Sequence, residues 1–109
     1  MKYLLLINVE EGVEVKPEDA DPNPWVEEMD GRGVRVLGSQ LRPVSDTTSI
    51  RVRDGELSIT EGPFAETKEE MAGFDLLECA DLDEAIEVAA KHPAARFGTL
   101  ELRPLWEEG

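Results

Sequence analysis

The dipeptide Asp54-Gly55 lies between two segments of alternating apolar and polar residues. Asp-Gly in this context predicts a two-residue type I′ hairpin, because both turn residues need a positive φ. Such a turn fixes the register of Ser49–Thr60, since a slip by one residue would move every side chain to the other face. The predicted cross-strand pairs are Arg53 with Glu56, Val52 with Leu57, Arg51 with Ser58, and Ile50 with Ile59. The four aliphatic side chains therefore share one face, and the Arg and Glu nearest the turn are expected to pair.

Four further segments have the composition of strands. The near-continuous apolar run Lys2–Val9 is typical of a central strand covered on both faces. Val34–Leu41 predicts a strand that is bent or bulged at Gly38. Gly73–Cys79 and the alternating stretch Thr99–Arg103 predict the last two strands.

Two segments predict helices. Asn23 is a suitable N-cap for a short helix through Trp25–Met29, which ends at Gly31. Asp81 is the predicted N-cap of a second helix that runs to about Lys91. The predicted inner stripe of this helix is Leu82, Ala85, Ile86 and Ala89.

The element order predicts a single α+β domain over residues 1–109. Without the hairpin, the order is βαββαβ, the ferredoxin-like unit, with one antiparallel sheet and two helices on one face. The other face of such a sheet still carries side chains, and a second copy is the simplest cover for it. We therefore expect a homodimer, because two-fold dimers are the commonest closed oligomers.

Composition excludes several classes of partner. The formal net charge is -14, with 25 acidic against 11 basic residues, whereas bare nucleic acid requires a basic surface. No apolar run reaches the roughly 20 residues of a membrane helix. The N-terminal apolar run has no small-residue cleavage site, which favours a cytoplasmic protein. Its acidity fits plain solubility or a salty cytoplasm, and composition leaves this choice open.

Metal and cofactor chemistry has little support in the sequence. Cys79 and His92 are the single cysteine and the single histidine. One cysteine forms neither an internal disulfide nor a thiolate metal cluster, so Cys79 is expected as a small buried apolar residue. No phosphate-binding glycine loop is present, and we predict no cofactor and no metal.

The stretch Glu61–Glu70 is the strongest candidate for a functional loop. Gly62 and Pro63 break the preceding strand, and Phe64 is a large anchor after the break. Five charged or hydroxyl side chains follow in succession: Glu66, Thr67, Lys68, Glu69 and Glu70. In a site, Glu66 would accept a proton and Lys68 would bind an anionic substrate. The alternative is a helical turn with a solvated charged face.

His92 is the second candidate, because its unperturbed pKa is near neutrality. As a catalytic group it would be a general acid or base, oriented by a carboxylate such as Glu101 or Glu66. The alternative is a charged residue that stabilises the end of the second helix. The predicted ligand-binding set is Glu61, Phe64, Lys68, Glu69, Arg96, Glu101 and Arg103. The arginines could instead form surface ion pairs with carboxylates on neighbouring strands.

The segment Glu61-Gly-Pro-Phe-Ala-Glu-Thr-Lys-Glu69 resembles the Asp-Gly-Pro-Phe signature of the YCII-related, or DGPF-domain, family. The order of the hairpin, helices and strands agrees over nearly the whole chain. The resemblance implies a ferredoxin-like protomer in a dimeric α/β barrel. It also implies a catalytic pair, with a His near the start of the first helix and an Asp before a Pro after the second. Here the first helix has no His, and His92 precedes Pro93 where the pattern has Asp.

Two function hypotheses follow. The first is a small-molecule site near the dimer interface, built from Glu61–Glu69 with His92 and Glu101 nearby, in a ligand-binding protein or a cofactor-free enzyme. The second is a non-catalytic interaction module, because members of the family that the chain resembles occur beside extracytoplasmic-function sigma factors. The sequence leaves open whether the protein is an enzyme.

Overall fold

The computed structural model describes residues 1–107, so Glu108 and Gly109 lie outside the described part. The strands are β1 (Lys2–Glu10), β2 (Arg35–Gln40), β3 (Thr48–Arg53), β4 (Glu56–Glu61), β5 (Glu69–Glu78) and β6 (Thr99–Pro104). The α-helices are α1 (Asn23–Gly31) and α2 (Leu82–Ala90). Short 3₁₀ turns span Pro17–Asp19, Val44–Asp46 and Pro93–Arg96. None of the described helices is long and apolar enough to cross a membrane.

The main sheet is antiparallel and contains four strands in the order β2-β5-β1-β6. This main sheet is open, with β2 and β6 at its edges. The β3–β4 hairpin forms a separate two-stranded sheet. The prediction of an α+β fold with an antiparallel sheet and two helices is confirmed.

The core lies on one face of the main sheet. On β1, Tyr3, Leu5 and Ile7 are buried, whereas Leu4 and Leu6 on the opposite face are half-buried. Both helices contribute to this core. Their buried core residues are Trp25, Met29, Ala85, Val88 and Ala89. The prediction that β1 is covered on both faces is therefore wrong within one chain, because both helices pack on the same face.

Helix α1 begins differently from the prediction. Pro22, rather than Asn23, is the N-cap residue, and it has no side chain that can cap the helix. The Asp21 carboxylate instead accepts a hydrogen bond from the Asn23 N–H at 3.0 Å. The indole Nε1 of Trp25 donates to the carbonyl oxygen of Val88 at 2.9 Å, which ties α1 to α2 across the core.

Helix α2 begins as predicted, since the Asp81 side chain accepts a hydrogen bond from the Glu84 N–H at 2.9 Å. The predicted inner stripe is only half correct. Leu82 and Ile86 are each 50% exposed, and Ala85, Val88 and Ala89 are the buried positions. Trp25 contacts this helix at the Val88 carbonyl oxygen, and Ala85, Val88 and Ala89 form the face that packs in the core.

The hairpin has the predicted register, and its turn residues Asp54 and Gly55 have φ values of 53° and 80°. Arg53 and Glu56 face each other as predicted, but their side chains form no ion pair among the described residues. The Arg53 guanidinium instead donates to the Val52 carbonyl oxygen at 3.0 Å. Exposed pairs gain little from Coulomb attraction and lose side-chain entropy, which explains this difference.

Candidate functional site

A cavity of about 400 Å³ lies between the main sheet, α1 and the segment that joins β1 to α1. Asp19, Asp75 and His92 are the buried polar or charged residues within the described chain, and all three line this cavity. We call it the His92 cavity. The rest of its lining is Ile7, Val9, Val15, Ala20, Pro22, Val26, Arg35, Ser39, Gln40, Ala72, Gly73, Pro93, Ala94 and Phe97.

His92 follows α2 and is the N-cap of the 3₁₀ turn Pro93–Arg96. Its Nδ1 accepts a hydrogen bond from the Ala94 N–H at 3.0 Å, and its ring packs edge-on against Trp25 with centroids 4.7 Å apart. Burial lowers the pKa of His92 from 6.5 to about 4, so the ring is neutral at pH 7. The alternative of a charged residue stabilising the helix end is therefore wrong.

The tautomer of His92 follows from its hydrogen bond. Because Nδ1 accepts the Ala94 N–H, the single ring proton of the neutral form is on Nε2. Every fully buried side-chain N or O atom in the described chain has a hydrogen-bond partner. Nε2 has no partner in this part of the chain, so it is not fully buried and is an open N–H donor on a residue that lines the cavity.

Asp75 lies on β5 and is 5% exposed. Its Oδ1 accepts a hydrogen bond from Arg35 Nε at 2.8 Å, and the same guanidinium contacts Asp30 Oδ1 at 3.2 Å. Burial raises the pKa of Asp75, although Arg35 acts in the opposite direction. The carboxylate thus remains paired through Oδ1, whereas Oδ2 has no hydrogen-bond partner within residues 1–107.

Gly38 makes room for this carboxylate. It faces Asp75 in the register of β2 and β5. A Cβ at position 38 would overlap Asp75 Oδ1 and would lie 2.8 Å from the Phe74 carbonyl oxygen. The predicted bulge at Gly38 is wrong, because the register shift lies between Arg35 and Leu37. The glycine instead allows the Asp75 carboxylate to lie close to the backbone of β2.

Asp19 lies at the end of the 3₁₀ turn Pro17–Asp19 and is 8% exposed. Its Oδ1 accepts a hydrogen bond from Arg96 Nη1 at 3.2 Å. The cavity therefore combines two carboxylates, each with an arginine partner, and a neutral imidazole that offers an N–H. Neutral imidazole and a carboxylate of raised pKa are groups that can exchange protons with a bound molecule.

The predicted functional loop does not form a helical turn. Glu69 and Glu70 already belong to β5, and the Thr67 N–H donates to Glu70 Oε1 at 3.1 Å. Pro63, Glu66, Thr67 and Glu70 line a second cavity of about 500 Å³, which we call the signature-loop cavity. The two predicted catalytic residues thus lie in different cavities. The cavities are neighbours, because Val9 and Ala72 line both.

Phe64 is 72% exposed, so it is not an anchor of the core. The guanidinium of Arg51 stacks over its ring at 4.4 Å from the centroid. Glu61 is exposed at the end of β4, and Lys68 is exposed in the loop before β5. Neither Glu61 nor Lys68 lines the His92 cavity.

Glu101 and Arg103 lie on β6, opposite Leu6 and Leu4 of β1. They therefore share the sheet face away from the helices, whereas His92 lies on the helix side. Glu101 Oε1 accepts a hydrogen bond from Asn8 Nδ2 at 2.8 Å. The structure does not bring Glu101 to His92. The carboxylate of Glu69 accepts a hydrogen bond from Thr99 at the start of the same strand, at 3.0 Å.

Sequence reasoning missed Asp19, Arg35 and Asp75. For Asp75 a signal was present in the sequence. Side chains at every second position of a strand share one face, and Asp75 is the charged residue between Gly73 and Leu77 on the face predicted to be buried. Charged residues are rarely buried without a partner or a function. For Asp19 no such signal was present, because it lies in an irregular acidic segment and its partner Arg96 is 77 positions away in the sequence.

Comparison with known proteins gives consistent matches. The family model described as "YCII-related domain" matches residues 1–108. An uncharacterised protein of Rhizobium meliloti (strain 1021) is 33% identical over 105 residues, with 81% of this chain and 85% of the relative covered. These matches confirm the resemblance seen in the signature segment. The chain belongs to the YCII-related domain family.

Proposed function

We propose that this YCII-related protein binds a small organic molecule in the His92 cavity and acts on it without a cofactor. The observation that carries the proposal is that all three buried polar residues of the described chain, Asp19, Asp75 and His92, line this one cavity. Burying polar groups costs stability unless they are paired. Their convergence on one cavity supports a functional reason for keeping them there.

The lining indicates the chemistry of the ligand. Nε2 of His92 is a donor, so the ligand carries an acceptor such as a carbonyl oxygen. The free oxygen of Asp75 is an acceptor, and apolar side chains such as Val26 and Phe97 complete the walls. In catalysis, Asp75 would remove a proton and the His92 N–H would stabilise the negative charge that develops on oxygen.

The His and Asp positions of the family pattern also support the proposal. The pair that this pattern implies is a His near the first helix and an Asp before a Pro after the second. In this chain His92 precedes Pro93, and Asp19 precedes α1 and lines the same cavity. Both kinds of group are present with their positions exchanged. In this proposal Glu66 belongs to an adjoining region in the signature-loop cavity, and Lys68 lies in the same loop.

The proposal includes a homodimer with ferredoxin-like protomers and a shared α/β barrel. The strand order β2-β5-β1-β6 and the two helices on one face support it. Leu4, Leu6, Phe74 and Leu76 are half-buried on the uncovered face. Packing two such faces together would bury these side chains, as a stable dimer requires. Glu101 and Arg103 share this face, which brings them near the interface in the proposed dimer.

Native mass spectrometry of gently purified protein tests the site. The matched variant is His92→Asn, because the Asn carbonyl can still accept the Ala94 N–H while the Nε2 donor is lost. We expect the wild type to carry a reproducible small-molecule adduct and the variant to lose most of it. An adduct of equal occupancy in both proteins would contradict the proposed role of His92.

A second candidate is a non-catalytic interaction module, such as a partner of a sigma factor. The net charge of -14 is the observation that favours it, because an acidic surface suits a basic partner. Affinity capture at low and high salt tests this candidate. A partner retained at low salt and released at high salt would support it, since screening weakens surface charge pairs. Capture of the same proteins by a matched acidic control protein would count against it.

A further inference from the structure

The β3–β4 hairpin has an apolar face that the described chain leaves uncovered. Ile50, Val52, Leu57 and Ile59 share this face and are 58–65% exposed. Within residues 1–107, the substantial contacts of β3 and β4 are with each other rather than with the main sheet. An isolated two-stranded hairpin is only marginally stable in water, so this hairpin needs a further layer.

The overall dimensions point the same way. The radius of gyration is 16.0 Å, whereas a compact domain of this length has a radius of about 13 Å. The extents of 46 × 43 × 18 Å describe a thin, spread molecule. The single chain is therefore far from the compact shape that buries apolar surface efficiently.

We propose that this apolar face packs against a second copy of the chain, so that the hairpin is a dimerisation arm. The inference extends the homodimer of the proposed function and rests on it. The main-sheet face alone offers limited area, because Leu4, Leu6, Phe74 and Leu76 are already half-buried. A stable interface buries about 800 Å² per partner. The arm adds four side chains that are each mostly exposed.

Symmetry favours a second copy over a different partner, and charge does not oppose one at the apolar part of the arm. Each chain has a net charge of -14, so two copies repel each other wherever acidic surfaces meet. Glu61 shares this face at the base of the arm, but the four side chains between it and the turn are uncharged, which permits close contact there. A two-fold axis uses every interface patch twice. One symmetric arrangement can therefore cover the arms and main-sheet faces of both chains.

The family signature anchors the arm at its base. The Gly62 N–H donates to the Thr47 carbonyl oxygen at 2.7 Å, and the Ser49 hydroxyl donates to the Gly62 carbonyl oxygen at 2.7 Å. Gly62 has a φ of 93°, a conformation that favours glycine. Arg51, on the polar face, stacks on Phe64. The loop thus engages the polar face of the arm and leaves the apolar face free for the partner.

Sedimentation velocity with two matched double variants tests the arm. Leu57→Glu/Ile59→Glu places two charges on the apolar face, and Ser58→Glu/Thr60→Glu places two charges on the opposite face of the same strand. All four positions are exposed in the chain, so folding should survive and circular dichroism checks this. We expect the first pair to raise the dimer Kd at least about 100-fold, and the control to change it less than about threefold.

The outcomes separate the arm from the rest of the account. A wild-type dimer with equal effects, or no effect, from both pairs overturns the arm, whereas the small-molecule site is judged separately by the native adduct. A wild-type chain that stays monomeric, or an arm that binds only a different protein, also overturns the inference. In support, the backbone amides of β3 and β4 should exchange hydrogen faster when the protein is diluted below its Kd.

Discussion

Acid should destabilise this protein through His92, and the size of the effect follows from the structure. The ring is 6% exposed and uncharged, and burial lowers its pKa from 6.5 to about 4. The unfolded chain therefore binds a proton more readily than the folded chain between these two values. The free energy of unfolding falls as the pH decreases from 6.5 to 4, and is independent of His92 above this window. The full shift corresponds to about 3 kcal/mol.

Urea denaturation followed by Trp25 fluorescence measures this effect, with wild type and His92→Asn compared from pH 7.5 to 4.5. We expect His92 to account for about 2.5 kcal/mol of the wild-type loss over this range. The variant should lack this contribution. Burial raises the pKa of Asp75, which changes stability in the opposite direction, but Asp75 is present in both proteins and cancels in the difference. Parallel curves for the two proteins would refute the assignment of a buried neutral imidazole.

Three further predictions use urea denaturation at pH 7. Arg35→Met should cost about 2–4 kcal/mol, because the Asp75 carboxylate stays buried without its cation. Arg35→Met/Asp75→Leu should recover at least half of that loss, and no recovery would contradict the pairing. Gly38→Ala should cost about 1–3 kcal/mol through overlap with Asp75 and the Phe74 carbonyl oxygen. The cost should be smaller in an Asp75→Ala background, and an unchanged cost would exclude the Asp75 contribution. Asp81→Ala should cost about 1 kcal/mol while Asp81→Asn stays near wild type, and equal losses would argue against the cap.

The features that the sequence predicts well depend on local chemistry. The hairpin register follows from the two residues Asp54 and Gly55, whose positive φ values are needed by one type of turn. The start of α2 follows from Asp81, whose partner Glu84 is three residues away. In both cases the energetic determinants lie within one turn or one strand pair, so no knowledge of the tertiary structure is needed.

The features that were predicted wrongly depend on distant contacts. The buried side of α2 packs in a core that includes Trp25, which is 63 positions from its hydrogen-bond partner Val88. Gly38 serves the Asp75 carboxylate on a neighbouring strand rather than a bulge. Phe64, predicted as an anchor after the strand break, is instead held at the surface by stacking with Arg51, 13 positions earlier in the sequence.

Only part of the candidate site could be predicted, because it too depends on contacts between residues that are distant in the sequence. His92 stood out by residue type, because it is the single histidine. Its carboxylate neighbours in the cavity, Asp19 and Asp75, come from a 3₁₀ turn and a central strand that only the fold brings together. A pattern of charges in one loop directed attention to Glu66, which lines the adjoining cavity.

The most direct test of the central claim is a crystal structure of the protein that retains its native small molecule. The account predicts that the molecule occupies the His92 cavity, with an acceptor atom about 3 Å from Nε2 of His92. It also predicts a polar atom of the molecule at the free oxygen of Asp75. A cavity filled only by water, with the molecule bound elsewhere on the chain, would contradict the account.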